Sequence, residues 1–164
     1  MKKKQKQNIA LAVIALVIIV GIIAYNYYID QIKIKGLNFG NKILQIQNDL
    51  KKMQDDYESK IIQWTEGDLS KEELLEYFQI HISGLEGLIT RYDKLTPPEP
   101  FIASVELFKL STETQLESYG EYIKWIETQD SSFKIRSNLL LQESFEYELA
   151  ALAKFKNAQL GITP

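Results

Sequence analysis

A chain of 164 residues, 45% apolar and 25% charged, has the length of one domain and rarely of two. It contains no cysteine, which excludes disulfide frameworks, thiolate zinc sites, iron–sulfur clusters and cysteine nucleophiles. Four prolines and eight glycines argue against a loop-rich all-β fold and leave helices as the expectation. The net charge of −3 hides an asymmetry. Lys2, Lys3, Lys4 and Lys6 precede the first apolar run, and the first acidic residue is Asp30. Without those four lysines, 15 basic residues face 22 acidic ones, a balance of −7, so no nucleic-acid partner is expected.

Residues 9–25 read IALAVIALVIIVGIIAY, without a charge or a proline. As a helix this run spans about 26 Å, and its flanks extend it to roughly the thickness of a bilayer core. The lysine cluster lies before it and no basic residue follows until Lys33. The positive-inside rule therefore predicts a cytoplasmic amino terminus, with everything after residue 29 outside, whether periplasmic or pseudoperiplasmic. Lys2, Lys3, Lys4 and Lys6 then mark the inner membrane interface, and Tyr25, Tyr27 and Tyr28 the outer one. A cleavable signal peptide cut at Tyr25 is the competing reading, but its apolar region is overlong and the tyrosines make a poor cleavage site. The expected division is residues 1–29 as cytoplasmic tip and transmembrane anchor, and residues 30–160 as an extracytoplasmic domain.

After the anchor, Phe39, Ile43, Ile46, Leu50, Met53, Tyr57, Ile61 and Trp64 follow one another every three or four residues, a single helical stripe. Gly36 and Gly40 weaken its join to the membrane segment. Ser70 with Glu73 forms a capping box for a second helix whose face carries Leu74, Leu75, Phe78, Ile82, Leu85, Ile89 and Tyr92. In the turn Thr96-Pro97-Pro98-Glu99, Thr96 reads as the cap of a third helix with Phe101, Val105, Phe108, Leu116, Tyr119, Ile123 and Ile126 inside. Asp130 or Ser131 caps a fourth, whose expected core is Ile135, Leu139, Leu141, Phe145, Leu149, Leu152 and Phe155. The fold class is all-α: an amino-terminal transmembrane helix, then an antiparallel up-down-up-down four-helix bundle with helices at about 38–64, 71–94, 98–128 and 132–158.

This topology predicts that Trp64 and Trp125 sit at the membrane-distal end, as anchors for a soluble partner or as core packing. Pro97 and Pro98 return toward the bilayer, within reach of an integral membrane neighbour. Arg136, one of two arginines, is a candidate for an anionic partner group or for an ion pair across the bundle. Together Trp64, Trp125, Pro97, Pro98 and Arg136 form the expected partner interface. His81 is the one imidazole; it borders the apolar face, where a structural role competes with a ligand role. Di-iron bundles need two Glu-x-x-His pairs and are excluded by this count. Glu113, Glu117, Glu143, Glu146 and Glu148 can meet a hard cation or simply form a solvated face. No phosphate loop, nucleophile elbow or zincin motif occurs, so no catalytic residue and no cofactor is assigned.

The segments Leu95-Thr96-Pro97-Pro98-Glu99, residues 104–118 (SVELFKLSTETQLES) and residues 135–149 (IRSNLLLQESFEYEL) resemble single-pass extracytoplasmic helical proteins of ammonia-oxidising archaea. Some of those are accessory subunits of the membrane ammonia monooxygenase. The resemblance implies a structural partner beside a copper-dependent membrane enzyme, with no catalytic residue of its own. The expected function is thus a membrane-anchored, non-catalytic accessory or structural subunit of an integral complex. The alternative is an extracytoplasmic ligand-binding or sensor bundle acting with a membrane partner.

Overall fold

The structure, a computed structural model, describes residues 3–161, with side chains from residue 36 onward and those of Ala24 and Tyr27. Two units are distinguished, Met1–Asn38 and Phe39–Pro164. The expected anchor over residues 9–25 lies, Ala24 apart, outside the described side chains, as do Lys2, Lys3, Lys4, Lys6, Tyr25 and Tyr28; Tyr27 is exposed. Among the described residues no helix is long and apolar enough to cross a membrane.

The described elements are all helical: α1 (Lys3–Glu66), α2 (Lys71–Asp93), a 3-10 turn (Glu99–Phe101), α3 (Ile102–Thr128) and α4 (Ser131–Leu160). Within the second unit, cross-helix pairs fix the directions. Arg91 on α2 meets Asp49 on α1 at 2.7 Å and Tyr92 accepts from Gln47 at 2.6 Å, while Tyr57 packs on Phe78, so α2 runs back along α1. Phe39–Phe101, Tyr57–Tyr119 and Trp64–Trp125 pair in the same order, so α3 runs with α1. The α1 stripe from Phe39 to Leu50 is buried, and Met53, Tyr57, Ile61 and Trp64 pack against the core. Leu74, Phe78, Leu85, Leu88 and Tyr92 of α2, Phe101 of the 3-10 turn, Val105, Phe108, Tyr119, Tyr122 and Ile126 of α3 and Ala151 of α4 complete it.

The fourth helix departs from the sequence expectation. Ile135, Leu139, Phe145, Leu149 and Leu152 face solvent, with Leu149 67% exposed, and the residues that α4 buries are Ser137, Ser144 and Ala151. These recur every seven residues, as do Ser104, Ser111 and Ser118 on α3, also buried. A seven-residue repeat drifts only about 20° around a helix, so each trio forms one straight seam. The seams face each other antiparallel. Ser111 Oγ donates to the Ser144 carbonyl at 2.8 Å, and Ser118 Oγ donates to the Ser137 carbonyl at 2.8 Å with the Ser137 hydroxyl 3.2 Å away. Hydroxymethyl side chains allow two backbones to come close enough for such side-chain-to-backbone bonds, which leucines in the same places forbid by bulk. Of the expected α4 core, Phe155 packs on Phe101 and Phe108 and Leu141 is half-buried; counting apolar residues at three- and four-residue spacing misplaced the other five, because the packing face is small rather than greasy.

The helix ends follow local chemistry. Ser70 accepts from the Glu73 amide and its own amide donates to the Glu73 carboxylate at 2.8 Å, a complete capping box. Asp130 caps α4 through the Ser132 amide. Thr96 makes no cap. Pro98 confines the preceding Pro97 to extended backbone, which postpones the helix. Pro98 instead leads into the 3-10 turn without a side-chain cap, and α3 begins at Ile102. Midway along α2, Gly87 has open space where a Cβ would stand. Gly87→Ala is expected to raise stability by about 0.5–1 kcal/mol, read as a higher thermal midpoint, because alanine restricts the unfolded chain and meets nothing.

Candidate functional site

Because α4 leans on α3 through its serine seam, it leaves an open channel between itself and α1. Two hollows lie along it. One, of about 370 Å³, is lined by Ile43, Leu44, Lys51, Glu148, Leu152 and Phe155 among others, with Phe108 of α3 present. The second, of about 570 Å³, has Tyr57, Glu58, Ile61, Ile62, Leu141 and Phe145 on its walls and Tyr119 of α3 present. Gln54 and Asp55 belong to both, so the hollows adjoin. At the far end the Phe155 ring comes close over Gly40, 3.5 Å from where a side chain would begin. The lining runs along α1 from Gly40 to Ile62, a helical length of about 33 Å.

The walls are apolar with an acidic bias: Asp55, Glu58 and Glu148 stand against Lys51. Glu148 is half-buried, and burial raises its carboxyl above the usual glutamate range. No ion pair within 4 Å neutralises it among the described residues. Ile135, Leu139, Leu149 and Leu160 on the outer side of α4, with Gln142 and Glu146 between them, and Phe145 and Leu152 at the groove edge add exposed apolar surface.

The residues singled out from sequence fall elsewhere. Trp64 and Trp125 meet edge-to-face at 5.7 Å, half-buried, and the Lys134 ammonium sits 4.2 Å from the Trp125 ring centre, so the pair closes one end of the core. Pro97 and Pro98 are half-buried in the turn at the opposite end. Arg136 is engaged inside the chain, with Glu117 at 3.0 Å and the buried Glu121 at 4.0 Å. These five side chains do not form one surface. His81 is buried and bonded through Nδ1 to the Tyr77 hydroxyl at 2.9 Å, which fits the structural role. Glu143 accepts from Tyr147, Glu146 from Gln142, Glu113 pairs with Lys109 and Glu117 with Arg136, so these four are spent on separate neighbours, while Glu148 lines the groove. Among the described residues no group of three His, Asp or Glu side chains is placed to hold a metal ion.

Sequence reasoning missed Phe145, Leu149 and Leu152 as surface residues. The signal that exposes them is the double serine repeat, since a small-residue seam on one side of α4 turns the leucines to the other. No family model matches this sequence, and neither a curated protein nor a solved structure matches it.

Proposed function

We propose that this protein is a non-catalytic interaction subunit, held in the membrane by residues 9–25 with its amino terminus in the cytoplasm. On this reading the helical bundle stands outside and docks on a larger integral membrane complex. The observation that carries it is the reversed α4, which buries serines and presents isoleucine, leucine and phenylalanine to solvent beside an open groove. Exposed apolar surface costs roughly 25 cal/mol per Å² while it remains wet, and a partner that covers it recovers that energy. The lysine-flanked apolar run supports the anchor. The archaeal resemblance makes a copper-dependent membrane monooxygenase one complex that fits.

Native electrophoresis of membranes solubilised in a mild detergent is the test. The chain is expected to migrate with larger integral proteins, and Phe145→Asp is expected to release it. A wild-type chain that runs as a clean monomer overturns the proposal.

A further inference from the structure

The two walls of the groove are helices, whose backbone amides and carbonyls are already paired along each helix. An occupant therefore gains nothing by presenting an extended backbone, as it would at a sheet edge, and must satisfy its own backbone bonds. A helix does so. The lined length of about 33 Å corresponds to a helix of some 20 residues. Apolar contacts from Leu44, Phe108, Phe145 and Leu152 suit an apolar stripe, and aromatic floor residues such as Tyr119 give it flat surface to press on.

Charge then selects among helices. The nearest candidate in a second copy of this chain is α4 itself, whose middle carries Glu143, Glu146 and Glu148 with no basic residue between Arg136 and Lys154. Laying that segment into the groove sets carboxylates against Asp55, Glu58 and the unneutralised Glu148. An anionic lipid surface meets the same repulsion. We propose that the α1/α4 groove receives one amphipathic helix of a partner protein, with its apolar stripe on Phe145 and Leu152 and a lysine or arginine opposite Glu148. This deepens the interaction reading above and rests on it. The cation supplies the charge-assisted hydrogen bonds that Glu148 lacks, so it sets orientation and selectivity while the apolar stripe supplies affinity.

The test uses the full chain in phosphatidylcholine nanodiscs and two fluorescein-labelled 20-residue probes. Both carry leucine at three- and four-residue spacing; one has lysine at its remaining positions, the other glutamate. Anisotropy, with the signal of empty nanodiscs subtracted, is expected to show the lysine probe binding at least about tenfold more tightly. Glu148→Lys is expected to remove that preference, Glu148→Gln to reduce it, and Phe145→Asp or Leu152→Asp to weaken both probes. Circular dichroism confirms that each variant is folded; Leu152→Asp and Glu148→Gln alter side chains at the groove edge and keep the test open if another variant unfolds. Equal affinity for the two probes, or indifference to the aspartate variants, overturns the proposal. So does sedimentation showing a wild-type dimer that Phe145→Asp dissociates, which assigns the groove to a second copy. Co-migration in native electrophoresis is scored separately: if it persists while the probes fail, the helix-binding groove falls and the interaction role stands, and the reverse result removes only that role.

Discussion

Ser144→Leu is expected to destabilise the bundle by about 3 kcal/mol, whereas Leu149→Ala, one turn along the same helix, is expected to change stability by less than about 0.5 kcal/mol. Ser144 is 1% exposed, and its backbone carbonyl receives the Ser111 hydroxyl. An isobutyl group there has no space at the helix crossing and must push α4 from α3, breaking the hydroxyl-to-carbonyl bonds on both sides. Ser144→Ala keeps the close approach and is expected to cost under about 1 kcal/mol, since the hydroxyl is bonded within its own helix, to the Leu141 carbonyl. Urea denaturation midpoints of the three variants check this ordering. A loss of about 2–5 kcal/mol for Leu149→Ala, the usual result for a buried leucine, contradicts the seam.

How much of this fold the sequence displays depends on which physical signal each helix uses. On α1 and α2 most buried residues are large and apolar at helical spacing, so Phe39 to Leu50 and Leu74, Phe78, Leu85 and Tyr92 are visible as stripes and are found in the core, with Leu88 buried in place of Ile82 and Ile89, which stay half-buried. The capping box of Ser70 is visible too, because its chemistry is confined to four consecutive residues. The α3/α4 seam shows nothing in a hydrophobic count, because a close helix contact is made by what the side chains omit. The serine repeat at 104, 111 and 118 and the repeat of Ser137, Ser144 and Ala151 carry that information only when the two helices are compared in antiparallel register. The groove is a consequence of the seam, so it was hidden for the same reason. Trp64 and Trp125 were placed together at one end by topology alone, but the choice between anchoring a partner and closing the core needed their mutual contact and that of Lys134.

Acidification is expected to destabilise the bundle through His81. The ring is 4% exposed, and it is enclosed by Tyr57 of α1, Tyr77 of α2 and Tyr119 of α3, with Asp56 as the carboxylate that favours its charged form. Burial outweighs Asp56 and pushes the imidazole down to about 4. Nε2 has no hydrogen-bond partner, so a second ring proton has no acceptor to meet. In the unfolded chain the same group titrates near 6.5. Below that pH the unfolded state takes up a proton that the folded state refuses until about 4, so stability is complete above pH 6.5 and is lost as pH falls through this window. The slope is about 1.4 kcal/mol per pH unit, or about 2 kcal/mol between pH 6.5 and 5, a large part of the 5–15 kcal/mol that holds a typical domain together. His81→Phe keeps the ring volume and removes the titration, and Asp56 remains close enough to Tyr77 to engage its freed hydroxyl. Denaturant midpoints at pH 7 and 5 are expected to diverge for the wild type and to coincide for His81→Phe. Equal losses in both proteins, or a histidine ring resonance that titrates near 6.5 in the folded chain, overturn the assignment; with one histidine in the sequence, that resonance has a single origin.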